Sequence, residues 1–145
     1  MKKLLFLLTI ISFAYFSFPQ ATLFSLNEQP SPSVYSDQIL AHAFENQHSN
    51  LPIEGQGIVV RVLPDDRHGS RHQRFIIQLG SGQTLLIAHN IELAPRIDGL
   101  NKGDPIAFAG EYEWNRKGGV IHWTHHDPSK RHPDGWLKHN GRLYQ

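Results

Sequence analysis

A mainly β fold follows from three observations on this 145-residue chain. Between residues 55 and 124, five short stretches alternate apolar with polar residues, each bounded by Gly, Pro, Asn or Asp. Three of them form a meander, and a turn-rich segment separates it from the last two. There is no cysteine, so no disulfide, thiolate zinc site or lipid-bearing thiol is available, and folding rests on a hydrophobic core alone. Three strands, a short helical connection and two more strands is the order of the OB-fold, a small five-stranded Greek-key barrel. An SH3-like barrel is the nearest rival, and the insert between strands three and four favours the OB order. An N-terminal helix and a loop-rich C-terminal tail complete the expected architecture.

Met1, Lys2 and Lys3 precede LLFLLTIISFAYFSF (residues 4–18), a basic head and an apolar run laid out like a signal peptide. The run is short for a membrane span, which needs about 17–25 residues. Pro19 stands where cleavage wants a small residue, so residues 1–19 read as a signal peptide or an uncleaved N-terminal membrane anchor. Either predicts an exported domain, periplasmic or anchored to the inner membrane on its outer side. Residues 20–54 read as linker and short helix. The linker, residues 20–33, is polar and contains Pro30 and Pro32. Ile39, Leu40, Ala43 and Phe44 then recur at helical spacing over residues 36–47, with Ser36 as N-cap and Asp37 in the first turn. His42 and His48 fall on its surface.

The barrel domain, residues 55–145, opens with Ile58, Val60 and Val62 alternating with Val59, Arg61 and Leu63. A polar loop, PDDRHGSR (residues 64–71), leads to a second strand carrying Phe75, Ile77 and Leu79. Gly80, Ser81 and Gly82 make a three-residue hairpin loop, with Gly82 in the left-handed position. That loop length sets Ile77 opposite Leu85, Phe75 opposite Ile87, Arg74 opposite Ala88 and His72 opposite Asn90 in the third strand. IELAPRIDGL (residues 91–100) is the connection, its regularity limited by Pro95. Ile106, Phe108, Tyr112 and Trp114 share one face of the fourth strand. The loop NRKG (residues 115–118) then pairs Tyr112 with Ile121 and, on the opposite face, Glu111 with His122. From His125 onward Pro128, Pro133, Gly135 and Gly141 argue against a strand and predict an ordered loop tail.

Four runs carry a family resemblance: RHQRF (residues 71–75), LLIAHNIELAPRI (85–97), GEYEWN (110–115) and GGVIHWTHHDP (118–128). Over roughly residues 55–145 the chain resembles a bacterial family of small exported proteins classed as a domain of unknown function. GEYEWN and HWTHHDP are the most specific parts. The resemblance implies an exported or periplasmic domain and no particular activity.

Removing Lys2 and Lys3 from the 14 basic residues leaves 12 against 13 acidic ones, which weakens a general nucleic-acid reading. The chemistry concentrates in GGVIHWTHHDPSKRHPDGW (residues 118–136), which holds four of the ten histidines and two of the three tryptophans. His122, His125, His126 and Asp127 form a His-x-x-His-His-Asp string, the donor types of a divalent transition metal site. Side chains alternate faces along a strand, so His122 and His125 can serve one site only if the strand ends between them. The plainer alternative pairs His122 with Glu111 and leaves the other histidines in solvent.

A phosphodiesterase reading, by analogy with nucleases built on OB-folds, uses Asp65 and Asp66 after strand one. It takes His72, Arg74, Glu111 and His122 as catalytic candidates, with His72 or Glu111 as acid or base. A binding reading places ligand contacts on Arg71, His72, Arg74, His89, Asn90 and Trp123, at the end of the barrel where these folds commonly bind oligonucleotides or oligosaccharides. Trp114 and Trp123 read more readily as core, and no Gly-x-Ser-x-Gly elbow supports a serine hydrolase. The expectation is an exported envelope protein that binds a partner or ligand through a His/Arg/Asp-rich barrel end. Its partner would be an envelope protein, an oligosaccharide or a nucleic acid, with anchoring by residues 4–18. A metal-dependent phosphodiesterase is the alternative.

Overall fold

The computed structural model describes residues 31–145. The expected signal segment, and nearly all of the linker before the helix, lie outside the described residues. Helix α1 (Pro32–Glu45) starts earlier than the sequence predicts. Pro32 occupies its first turn, where a missing N–H costs nothing, and the preceding Ser31 makes no side-chain cap bond. Ser36 is therefore inside the helix, its hydroxyl donating to the Ser33 carbonyl at 3.1 Å. Asp37 is buried, and its carboxylate accepts the Ser81 amide at 2.8 Å. Of the pair that reads as a helix start, Asp37 instead ties the helix to a hairpin of the barrel. α1 sends Leu40 and Ala43 into the core, and the Trp114 indole N–H donates to the Phe44 carbonyl at 3.0 Å.

Five strands close the barrel: β1 (Leu51–Val62), β2 (His72–Gln78), β3 (Thr84–Asn90), β4 (Pro105–Glu113) and β5 (Val120–His122). β1 is long enough to serve two neighbours. Its first part pairs antiparallel with β4, from Leu51 with Tyr112 to Ile58 with Pro105. A break in register between Val59 and Arg61 bends the rest onto β2. β3 runs parallel to β5, and β5 antiparallel to β4, so the circuit runs β1, β2, β3, β5, β4 and back to β1. This is the OB order. The β2–β3 register is the one the three-residue loop requires: Ile77 faces Leu85, Phe75 faces Ile87, Arg74 faces Ala88 and His72 faces Asn90. Those apolar pairs fill the barrel with Val59, Ile106, Phe108, Tyr112 and Ile121.

The tail departs from the loop predicted for it. β6 (Trp136–His139) and β7 (Arg142–Tyr144) form a hairpin that extends the sheet beyond β4. Asn140 and Gly141 both take positive φ, 48° and 78°, at the two-residue turn between them. Asn-Gly is the residue pair such a turn favours, so Gly141 makes the turn that joins two strands instead of ending the sheet. β6 also has a particular place. β5 sets Val120, Ile121 and His122 opposite Glu113, Tyr112 and Glu111, and β6 sets Trp136, Leu137 and Lys138 opposite Ala109, Phe108 and Ala107. Gly110 alone separates the two sets on β4. β5 and β6 are thus one strand, interrupted by an excursion over residues 123–135.

Candidate functional site

The excursion has a narrow neck. Trp123 ends β5 by turning its backbone to φ 53°, an uncommon conformation for so bulky a residue. At the other side of the neck the Gly135 amide donates to the His125 carbonyl at 3.0 Å. A Cβ on Gly135 would collide with the carbonyl oxygens of Trp123 and Ala109, and one on Gly110 with that of His122. Glycine at these two points lets three backbone segments approach closely enough for the strand to leave and return.

Inside the loop Asp127 acts as the anchor. It is buried, and its carboxylate accepts the amides of Ser129 at 2.8 Å, of His132 at 3.0 Å and of Arg131. Burial pushes this carboxyl up, and the three amides more than offset it, holding it below the usual carboxylate range. Asp134 accepts the Asp127 amide at 2.9 Å and meets His126 Nδ1 at 2.9 Å. The first contact, then the second, lowers its pKa. His125 is buried and donates from Nδ1 to the neighbouring His126 carbonyl at 2.6 Å. Asp127, His126 and His125 therefore spend their polar atoms within the loop. They do not converge with His122 on one point.

His122 meets different partners. It lies across β5 and β4 from Glu111, as the register predicts, and its Nε2 is 3.6 Å from Glu111 and 3.9 Å from Glu113. Both separations exceed a hydrogen bond, and this nitrogen is buried without a partner. Burial lowers the His122 pKa, against the opposing pull of the two carboxylates, so the ring favours its neutral form. Next to it the Trp123 ring stacks on His132, centroids 4.1 Å apart and tilted by 40°. His132 donates from Nδ1 to the Pro133 carbonyl at 2.8 Å, leaving a bare lone pair on a second buried, unpartnered Nε2. Glu111, Trp123, His132 and Asp134, with Glu54 and Ile53 of β1, line a pocket of about 250 Å³. Strained backbone, the unsatisfied His132 nitrogen and a concave surface coincide at this point, and the unsatisfied His122 nitrogen is next to Glu111 in its wall.

The remaining predicted contacts lie where β3 finishes and β2 starts, beside the end of β5, and there the predicted arginines are paired. Arg71 meets Glu92 at 3.2 Å, and Asp65 takes both Nε and Nη2 of Arg96 at 3.2 and 3.3 Å. Arg74 gives two hydrogen bonds to the Pro64 carbonyl and sits 3.7 Å from Asp66. His72 Nδ1 is 2.8 Å from the Ser70 carbonyl, and the Asn90 side chain accepts the Glu92 amide at 2.9 Å. His89 is fully buried. Its Nε2–H donates to the Pro95 carbonyl at 3.1 Å while Nδ1 accepts the Thr124 hydroxyl at 2.8 Å, so one neutral tautomer satisfies both contacts. Burial takes its pKa down to about 4. The end of β5 does reach His89, through Thr124, and the contact is internal.

Two structural roles carry no sequence signal that distinguishes them. Buried Gln73 pairs its amide with both the N–H and the carbonyl of Ile97, each at 2.9 Å, pinning the connection to β2. His139 holds Asp104 at 2.9 Å, fastening the tail hairpin to the start of β4. A larger groove of about 860 Å³, lined by Val34, Ala41, Ile58 and Leu79 among others, runs beside α1, away from the histidines.

No curated protein matches the chain. A family match does, and it begins well before residue 55, where the resemblance starts, so it takes in the helix that shares the barrel's core. Matching it over residues 22–145, the chain belongs to the family described as "Protein of unknown function (DUF3465)".

Proposed function

We propose that this protein is an exported envelope binding module whose ligand surface is the pocket beside the interrupted strand. The observation that carries the reading is the pocket bordered by the left-handed Trp123 and by His132 with its unpartnered nitrogen, with the unpartnered His122 nitrogen 3.6 Å from Glu111 in the pocket wall. Export is supported by Lys2, Lys3 and the apolar residues 4–18, which would also supply any anchor. Among the described residues no helix is long and apolar enough to cross a membrane.

The lining names the class of ligand. Glu54, Glu111 and Asp134 surround the pocket with carboxylates, and Trp123 and Ile53 give it apolar surface. Such a surface suits a sugar ring or a basic side chain of an envelope partner and repels a phosphate. The phosphodiesterase reading draws less support for the same reason: Arg71, Arg74 and Arg96 are held in ion pairs away from the pocket. The test is an NMR titration of the Trp123 indole signal with a neutral oligosaccharide, an oligolysine peptide and a single-stranded oligonucleotide, at physiological salt. Saturable shifts from the sugar or the peptide, lost in Glu54→Gln/Glu111→Gln, support the module. Shifts from the oligonucleotide alone would reverse the assignment.

A further inference from the structure

We propose that Glu111, Glu113 and His122 form a binding site for a single divalent transition ion of the zinc type. The proposal rests on reading this face as a binding surface, and its test needs no organic ligand. Glu111 and Glu113 are two apart on β4 and so share one face of the strand. His122 stands opposite Glu111 on β5. Among the described residues these three side chains bring one donor atom each to within 4.8 Å of one another.

The distances favour an ion over an ordinary ion pair. A hydrogen bond from imidazole to carboxylate closes to about 2.7–3.2 Å. Zinc with ligands at about 2.0–2.2 Å and bond angles near a tetrahedral or trigonal value separates its donor atoms by about 3.3–3.8 Å. His122 Nε2 stands at 3.6 Å from Glu111, within that spacing, and at 3.9 Å from Glu113, just beyond it. It is also buried and unpartnered, which is costly for an imidazole nitrogen unless something binds it. Two carboxylates, each partly buried, add repulsion that a cation would remove.

Donor chemistry narrows the ion. One imidazole with two carboxylates suits zinc and its neighbours, whereas calcium and magnesium prefer oxygen alone. Three protein ligands leave a coordination position open. Glu111 belongs both to this triad and to the pocket wall. His132, whose side chain is 9% exposed and whose Nε2 has no partner, lines the same pocket. The ion would sit at the pocket's edge, with His132, its Nε2 3.7 Å from Asp127, on the same pocket wall as Glu111. His126 and Asp127, committed to Asp134 and to backbone amides, are not part of it.

The test uses the full-length chain in mild detergent, stripped with chelator and titrated with Zn²⁺ by calorimetry, with Co²⁺ absorption reporting coordination. The expected result is one tight equivalent, weakened by roughly tenfold or more in Glu113→Gln and in His122→Gln. The exposed control His126→Ala leaves affinity unchanged, and the visible Co²⁺ bands disappear in His122→Gln. Matching circular dichroism spectra and melting points show that the variants fold. Absence of a tight equivalent, or affinity lost only in His126→Ala, overturns the site. If zinc fails while sugar or peptide still shifts the Trp123 indole, the ion site alone falls. If zinc binds and neither organic probe does, the pocket reading falls and the ion remains.

Discussion

Two neighbouring regions, where β3 and β5 finish side by side, use the same residue types and treat them in opposite ways. Arg71, His72, Arg74, His89 and Asn90 each have a partner within the protein, down to the single tautomer that lets His89 satisfy Thr124 and Pro95 together. Around His122 and His132, imidazole nitrogens are buried and left unpaired beside carboxylates, under a strained tryptophan. Folding alone explains the first arrangement. The second costs stability, since an unsatisfied buried polar group is worth about 1–3 kcal/mol, and such costs persist where a ligand recovers them. Residue type marks neither region as a site; the state of the polar atoms does.

Breaking the satisfied region should have the largest effect. Gln73→Ala leaves the N–H and carbonyl of Ile97 buried without partners. Urea unfolding should show a loss of about 3 kcal/mol; under about 1 kcal/mol would mean that water replaces the glutamine and that this region is not closed. The same region should set the response to acid. The unfolded chain takes up a proton at His89 near pH 6.5, the folded protein only near pH 4. Stability is therefore full above that window and falls as the pH is lowered through it, by up to about 3 kcal/mol. Asp104, lowered first by the Asn101 amide and then by His139, adds to the loss at still lower pH. Denaturation curves at pH 7, 5.5 and 4.5 measure the slope, and a flat profile would show that His89 is hydrated.

The smallest effects sharpen the contrast, because they should differ in sign. Arg71→Ala breaks an exposed ion pair and should cost at most about 0.5 kcal/mol. In chelator, Glu113→Gln relieves repulsion between two neighbouring carboxylates and should stabilise by a similar ~0.5 kcal/mol. A loss in Glu113→Gln under those conditions would mean that the carboxylate is part of the fold's own support.

Where loop length and alternation decide the geometry, the sequence is enough. Counting through Gly80, Ser81 and Gly82 places Phe75 against Ile87, and counting through residues 115–118 places Glu111 against His122. These pairings are local, and a register slip would turn the apolar face outward. The tail escapes the same logic because Gly135 and Gly141 have two meanings. One permits a close backbone approach and the other supplies a hairpin turn, and composition reads both as strand breakers. Asp127 is harder still. In HWTHHDP it looks like a ligand, and its role as acceptor for three amides depends on a loop path that no spacing rule gives. Glu113 is missed for a related reason: it enters the cluster only once β4 and β5 are paired and the strand has stopped at Trp123.

That stop has a consequence for how the molecule can change. Because β5 and β6 stand in one line along β4, the sheet is indifferent to what lies between His122 and Trp136. The excursion is a cassette held at its two ends. It can lengthen, shorten or exchange its exposed histidines while the barrel underneath keeps its register, and the neck, with its glycines and the Thr124 hydroxyl on His89, is what binds it to the frame. Chemistry of a new kind can be grafted there one side chain at a time, and a chain that loses the cassette altogether would still possess a continuous strand with which to close its barrel.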